Sequence, residues 1–142
     1  MLEINRVFAA SRPAVYAALT EPRQLEKWWG PAGFRAPRVE FDPRPGARYR
    51  IEMRPASGDS FHLTGELREV VPPERLAMTF EWEPPDPDDV ETLATLDLRD
   101  LGQSTEVALA QGPFRTDARR ALHENGWTEA FEKLERLLSS QR

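Results

Sequence analysis

A long amphipathic segment near the end of the chain constrains the fold most strongly. Residues 116–138 have the apolar spacing of a single helix, which would be about 34 Å long at 1.5 Å per residue. Its apolar positions recur every three or four residues, which predicts a buried stripe. They are Ala118, Leu122, Gly126, Trp127, Ala130, Phe131, Leu134, Leu137 and Leu138. Residues 34–111 read as consecutive strands, so the stripe must pack on a sheet. A curved sheet that grips one helix tends to enclose a cavity, and we expect a binding site there.

Alternating apolar and polar residues predict the strands of that sheet. Such alternation is typical of antiparallel strands with one face in water. The predicted strands cover residues 2–9, 34–41, 48–54, 61–68, 76–82, 91–98 and 105–111. Two short helices follow the first strand: Ser11 caps one that has Pro13 in its first turn, and Gly30-Pro31 ends the other. This order predicts an α+β fold with a curved antiparallel sheet of about seven strands, in one domain over residues 1–142.

The composition excludes several classes of protein. The net charge of −5 argues against binding to a nucleic-acid backbone, which usually needs a basic face. The absence of cysteine excludes disulfides, thiolate zinc sites and a cysteine nucleophile. No apolar run approaches the ~18 residues that a membrane span needs, and the first residues lack a signal-peptide pattern. We therefore expect a cytoplasmic protein that neither binds nucleic acid nor spans a membrane.

The residues that carry chemistry form no recognisable catalytic constellation. The two histidines, His62 and His123, are predicted on an outward strand position and on the long helix, without the spacing of metal ligands. There is no nucleophile elbow and no glycine-rich phosphate loop. We expect no metal, no cofactor and no catalytic residue, which favours a binding protein over an enzyme.

A set of short motifs lies in order along nearly the whole chain. They are residues 11–20, Leu25, Trp28-Trp29-Gly30-Pro31, residues 41–46, residues 65–76, Gly102, Thr105, His123 and Gly126-Trp127. With the order of elements, these motifs resemble the helix-grip (START- or Bet v-like) fold of the SRPBCC superfamily. Within it, the chain is most similar to proteins like the C-terminal domain of the activator of the heat-shock-protein-90 ATPase. The resemblance implies a cavity for apolar small molecules or lipids, and some relatives act as polyketide-cyclase-like enzymes or hydratases.

The inward positions of the strands and of the long helix predict the wall of the cavity. The predicted apolar wall is Met53, Phe61, Phe80, Trp82, Leu96, Trp127 and Phe131. Arg119 and His123 fall on the helical line that leads to Ala130, so they are predicted polar contacts at the wider end. Free donors there would favour a ligand with an anionic or hydrogen-bond-accepting head. Two points stay open. One alternative is that His123 has a structural role and does not contact a ligand. The other is that only one of Trp28 and Trp29 faces the cavity.

The sequence thus predicts a protein that binds a small, mainly apolar molecule, either lipid-like or aromatic, between sheet and helix. One alternative is an interaction module that helps a chaperone ATPase in the stress response. Another is a cofactor-free cyclase or hydratase that uses His123 and Arg119. The predicted partners are a hydrophobic or amphipathic ligand, with a chaperone or a second copy of the chain as further candidates.

Overall fold

Three helices and eight strands make up residues 1–141, the part of the chain that the computed structural model describes. The helices are α1 (Arg12–Thr20), α2 (Pro22–Trp28) and α3 (Asp117–Ser140). The strands are β1 (Leu2–Phe8), β2 (Phe34–Arg35), β3 (Val39–Glu40), β4 (Arg48–Pro55), β5 (Phe61–Val71), β6 (Arg75–Glu83), β7 (Thr92–Asp100) and β8 (Thr105–Gly112). All of the strand pairs are antiparallel, in the order β1-β8-β7-β6-β5-β4-β2, and β3 pairs with the same edge of β4.

The helix-grip architecture predicted from the sequence is confirmed. The curled sheet surrounds α3, and α1 and α2 follow β1 as expected. Local sequence accounts for the helix starts: Ser11 Oγ accepts a hydrogen bond from Ala14 N at 3.4 Å, and Thr116 Oγ1 accepts one from Arg119 N at 3.1 Å. These caps satisfy backbone donors that have no partner inside the first helical turn. Among the described residues, no helix is both long enough and apolar enough to cross a bilayer.

The edge of the sheet differs from the prediction. Residues 34–41 form two short strands, β2 and β3, rather than one. Between them the pairing with β4 shifts by one residue, from Arg35 opposite Arg54 to Val39 opposite Ile51. Pro37 lies in the gap, and proline has no N–H to donate to a ladder, so it is tolerated only at edges and bulges. Counted as one interrupted edge, β2 and β3 give the predicted seven strands.

The long helix is buried over only part of its length. Its buried residues are Trp127, Ala130, Phe131, Leu134 and Leu138, all in the C-terminal two thirds. Phe131 is fully buried and meets Phe8 edge to face, with ring centroids 5.5 Å apart. The expectation that Ala118 and Leu122 continue the buried stripe is wrong, since both are exposed. The start of α3 therefore stands away from the sheet, and this separation makes room for a cavity.

Gly65 allows a side chain to cross the middle of the sheet. It lies opposite Tyr49 in the β4–β5 ladder, and the Tyr49 hydroxyl passes over it to donate to Thr79 O of β6 at 2.5 Å. A Cβ at position 65 would lie 2.7 Å from the Tyr49 ring and would overlap the Thr79 carbonyl. Burial raises the pKa of Tyr49 well above its ordinary value, so the hydroxyl keeps its proton and stays a donor.

We therefore expect Gly65→Ala to lower the free energy of unfolding by about 1–3 kcal/mol or more, the cost of overpacking. The same exchange at Gly126 is the control, because a Cβ there would meet nothing within 4 Å. Alanine is the better helix former, so Gly126→Ala should raise the free energy of unfolding by up to about 1 kcal/mol. Urea unfolding of both variants measures the two effects, and equal effects would contradict the packing described here.

Candidate functional site

An apolar cavity of about 620 Å³ lies between the start of α3 and the sheet, and it is partly open to solvent. It exists because the buried apolar packing of the helix on the sheet begins only at Trp127. Six aromatic side chains dominate its wall. They are Trp29, Phe34, Phe61, Phe80, Trp82 and Trp127. Phe80 connects the group, since its ring centroid lies 6.2 Å from Trp29, 6.4 Å from Trp82 and 5.8 Å from Trp127.

Most of the predicted wall residues do border this cavity. Those on the wall are Met53, Phe61, Phe80, Trp82, Arg119, His123 and Trp127. Leu96 and Phe131 do not, although both are buried. Leu96 lies in the centre of the sheet opposite Leu76 and Leu109, away from the start of α3. Phe131 lies one helical turn beyond Trp127 and packs against Phe8 and Trp28, where helix and sheet are already in contact.

The tryptophan pair divides its two rings between core and cavity. Trp28, the last residue of α2, is fully buried and donates its indole N–H to Ala18 O at 2.8 Å. Trp29 follows in extended backbone (φ −62°, ψ 138°), which turns its ring away from the helix and onto the cavity wall. The helix stop at Gly30-Pro31 is the sequence signal for this change of direction. Phe34 and Leu63, which sequence reasoning did not single out as wall residues, complete this side.

Gly126 leaves open space on the helix side of the cavity. It lines the cavity, and a Cβ built at this position would meet nothing within 4 Å. The glycine is therefore not required for close approach between helix and sheet. A glycine inside a helix costs roughly 1 kcal/mol relative to alanine. The chain accepts that cost at a position where a side chain would project toward the cavity.

Both ring nitrogens of His123 are already engaged with protein groups. Nδ1 lies 2.8 Å from Arg119 O, a carbonyl that can only accept, so Nδ1 carries the proton. Nε2 then accepts a hydrogen bond from Trp82 Nε1 at 3.0 Å. Burial lowers the pKa of His123, which keeps the ring neutral. The imidazole therefore fixes the Trp82 ring against α3 and is not a free donor.

Arg119 is likewise held by acidic partners. Its guanidinium lies 3.2 Å from Asp86 and 2.5 Å from Asp89, both in the loop between β6 and β7. Both acids border the cavity, together with Asp59 and Glu129. Within residues 1–141, the charged side chains that border the cavity are thus four carboxylates and one arginine. These residues form its rim, which therefore carries a net negative charge. The expected preference for an anionic head does not fit this arrangement.

A second set of polar contacts holds the turn formed by residues 29–34. Lys133 Nζ of α3 donates to Gly30 O at 2.9 Å and to Phe34 O at 3.3 Å. Glu129, one turn earlier, accepts from Ala32 N at 3.2 Å. Burial lowers the pKa of Lys133. Together with Arg119 on the opposite side, these contacts tie both loops of the rim to α3 and make the cavity preformed.

The indole of Trp127 is fixed by a buried hydrogen-bond chain. Its Nε1 donates to Gln111 Oε1 at 2.7 Å, and Gln111 Nε2 donates to Thr92 Oγ1 at 2.8 Å. Gln111 is fully buried, so each of these bonds replaces a lost contact with water.

In residues 1–141, no group of three or more histidine and carboxylate side chains is placed to hold a metal ion.

Comparison with known proteins identifies the family of this chain. A family model described as "Activator of Hsp90 ATPase homolog 1-like protein" matches residues 9–139. The chain belongs to this family. The comparison with curated proteins gave no match.

Solved structures agree with the family assignment. The AHSA1 protein from Silicibacter pomeroyi is 25% identical, with a TM-score of 0.88 over 99% of both chains. A protein from Rhodobacter sphaeroides is 30% identical, with a TM-score of 0.84 over 99% of this chain and 93% of that one. DynU16, described as a protein of the dynemicin biosynthetic locus, is 20% identical, with a TM-score of 0.80 over 99% of this chain and 48% of that one. The last of these shows a shared fold alone.

The buried neutral state of His123 generates a prediction about pH. Because its pKa is lowered in the folded protein, the unfolded chain takes up the proton more readily as the pH falls below about 6.5. The contribution of His123 to stability is therefore present above pH 6.5 and is lost as the pH falls through the folded-state pKa. We expect urea unfolding to show a steeper loss of stability between pH 7.5 and 5.5 in the wild type than in His123→Gln, which cannot titrate.

The control for this prediction is His62→Gln, which removes the chain's other histidine from an outward position on β5. Its profile is measured beside that of His123→Gln, so that an effect common to both exchanges is not assigned to His123. Identical pH profiles for the wild type and His123→Gln would show that His123 is not held neutral by its surroundings.

Proposed function

We propose that this protein binds a small, mainly apolar molecule with an aromatic body in the cavity between α3 and the sheet, in the cytoplasm. The observation that carries the proposal is the cavity itself, about 620 Å³ with a wall of six aromatic rings. Ligand pockets typically enclose roughly 300–1,000 Å³ and are lined by apolar and aromatic groups with few polar ones. Without a ligand, the apolar wall of this cavity is in contact with water, and an apolar ligand would remove that surface from water.

The position of Gly126 supports the same proposal. Because a Cβ there has open space, the chain could place an alanine or a larger residue at this point without a clash. Either replacement would improve the helix and reduce the void. A glycine at this position makes the helix less stable than an alanine would, and it leaves space in the cavity that a ligand can occupy.

The preformed rim of the cavity also supports a role in ligand binding. Arg119 holds the loop between β6 and β7, and Lys133 holds the turn of residues 29–34, before any ligand arrives. A ligand therefore loses little free energy in ordering its site, which is the physical basis of preorganised binding. The net negative rim disfavours an anionic head group, so the ligand in this proposal is neutral or carries a cation at the rim.

The alternative of a cofactor-free cyclase or hydratase has weaker support from these contacts. It requires His123 to exchange protons, yet both ring nitrogens already bond to protein groups, and Arg119 is paired with two carboxylates. The chaperone-activating alternative rests on the description of the family. The effect of the protein on the ATPase rate of a chaperone distinguishes that alternative from ligand binding.

The proposal is tested with N-phenyl-1-naphthylamine, a neutral aromatic dye whose fluorescence rises in apolar surroundings. We expect the wild type to bind it, and Gly126→Phe to weaken binding by about tenfold or more, the equivalent of about 1.4 kcal/mol. The new ring would occupy space that the ligand needs. Gly126→Ala should change affinity much less, since it adds one methyl group.

The matched control is Thr128→Phe, which adds the same ring to α3 two residues away. Thr128 is exposed and does not border the cavity, so this variant should bind the dye like the wild type. Failure of the wild type to bind the dye, or equal binding by Gly126→Phe and Thr128→Phe, would overturn the proposal.

A further inference from the structure

The four tryptophans differ in what their indole N–H groups bind. Trp28 donates to Ala18 O at 2.8 Å, Trp82 to His123 Nε2 at 3.0 Å and Trp127 to Gln111 Oε1 at 2.7 Å. Each of these three donors is satisfied inside the protein, as buried donors normally are. Trp29 is the exception, since no group in residues 1–141 accepts a hydrogen bond from its Nε1.

Trp29 is nevertheless a buried residue. Only 7% of its surface is exposed, and its ring packs against Trp127 edge to face with centroids 5.3 Å apart. The side-chain atoms that are both sealed from solvent and unpaired in the described residues are Arg12 Nε and Arg119 Nε. Trp29 Nε1 also has no partner, but it is not one of these two buried atoms. Part of its surface is therefore accessible to solvent. Trp29 also borders the cavity.

The other polar side chains of the wall that are buried or half-buried are largely engaged by protein groups, whereas Asn125, which also borders the cavity, is exposed to solvent. Trp82 and Trp127 have donated their N–H groups, and His123 uses both nitrogens. Arg119 is held by Asp86 and Asp89. At the outer rim, Ser60 donates to Glu52 at 2.9 Å. In residues 1–141, the indole N–H of Trp29 is thus the donor that remains free among the buried aromatic rings.

We propose that the ligand carries a hydrogen-bond-accepting oxygen, such as that of a ketone, ester or amide, on its aromatic body and that Trp29 Nε1 donates to it. This inference rests on the proposed function and narrows it to a class of ligand. A ligand that fills the cavity removes water from this donor, and leaving the donor unpaired is then unfavourable, so a ligand that delivers an acceptor avoids that cost. A pure hydrocarbon would fill the same space and leave the donor unpaired.

The experiment compares two probes of nearly equal shape, 2-acetylnaphthalene and 2-ethylnaphthalene, which differ in the ketone oxygen. Their dissociation constants are measured for the wild type and for Trp29→Phe, which keeps an aromatic ring and removes the N–H. We expect Trp29→Phe to weaken the ketone about three- to tenfold more than it weakens the hydrocarbon, the effect of one hydrogen bond. The substitution also changes the cavity volume, which affects both probes alike. This effect cancels in the ratio of the two losses of affinity.

Phe80→Leu is the matched control, because Phe80 borders the cavity beside Trp29 and carries no donor. It should weaken both probes by the same factor. A second measurement on the wild type alone guards against poor folding of the variant: the carbonyl stretch of bound 2-acetylnaphthalene, recorded by infrared spectroscopy. We expect it at the lower frequency of a hydrogen-bonded ketone.

The outcomes separate this inference from the function on which it rests. If both probes bind the wild type but Trp29→Phe weakens them equally, the role of Trp29 is overturned while ligand binding stands. A bound ketone whose carbonyl stretch matches that in hexane overturns the role of Trp29 in the same way. If neither probe binds the wild type, the inference fails together with the proposed function.

Discussion

The buried apolar packing between α3 and the sheet, which begins only at Trp127, is the constraint on which the rest of the structure depends. From Trp127 to Leu138 the helix presents large apolar side chains that fill the concave face of the sheet. Before Trp127 its residues are mostly polar or charged, and they cannot be buried without loss of hydration. The helix is one rigid element, so its start extends over the sheet without filling the space beneath. The cavity is the direct result of this change in sequence character along a single helix.

The polar side chains around the cavity serve mainly to hold its walls. His123 orients Trp82, Gln111 orients Trp127, and Arg119 and Lys133 each attach one loop to α3. Each of these groups would be a candidate for catalysis or recognition if it were considered alone. Their hydrogen bonds and ion pairs already engage them, with Arg119 Nε as an atom left unpaired, and paired buried polar groups rigidify the surrounding structure. In the function proposed here, recognition then depends on shape, on aromatic contact and on the one indole donor that has no partner in the described part of the chain.

Sequence periodicity predicted the architecture well, because alternating strands and a three-to-four-residue helical stripe follow directly from which faces are buried. It also found most of the cavity wall. It failed where a property depends on tertiary distance. Leu96 and Phe131 have the periodicity of wall residues, but Leu96 lies in the centre of the sheet opposite Leu109, and Phe131 packs against Phe8. The engagement of His123 with Trp82 joins residues 41 positions apart, and no local pattern signals such a bond.

The central claim, that ligands enter the space between α3 and the sheet, is tested most directly by the indole N–H signals of the four tryptophans in a ¹⁵N-labelled sample. Trp29, Trp82 and Trp127 border the cavity, whereas Trp28 is fully buried in the core behind it. On titration with N-phenyl-1-naphthylamine, we predict saturable shifts of the three wall indoles and little change for Trp28. Saturable binding without shifts of the wall indoles would place the ligand elsewhere and contradict the claim.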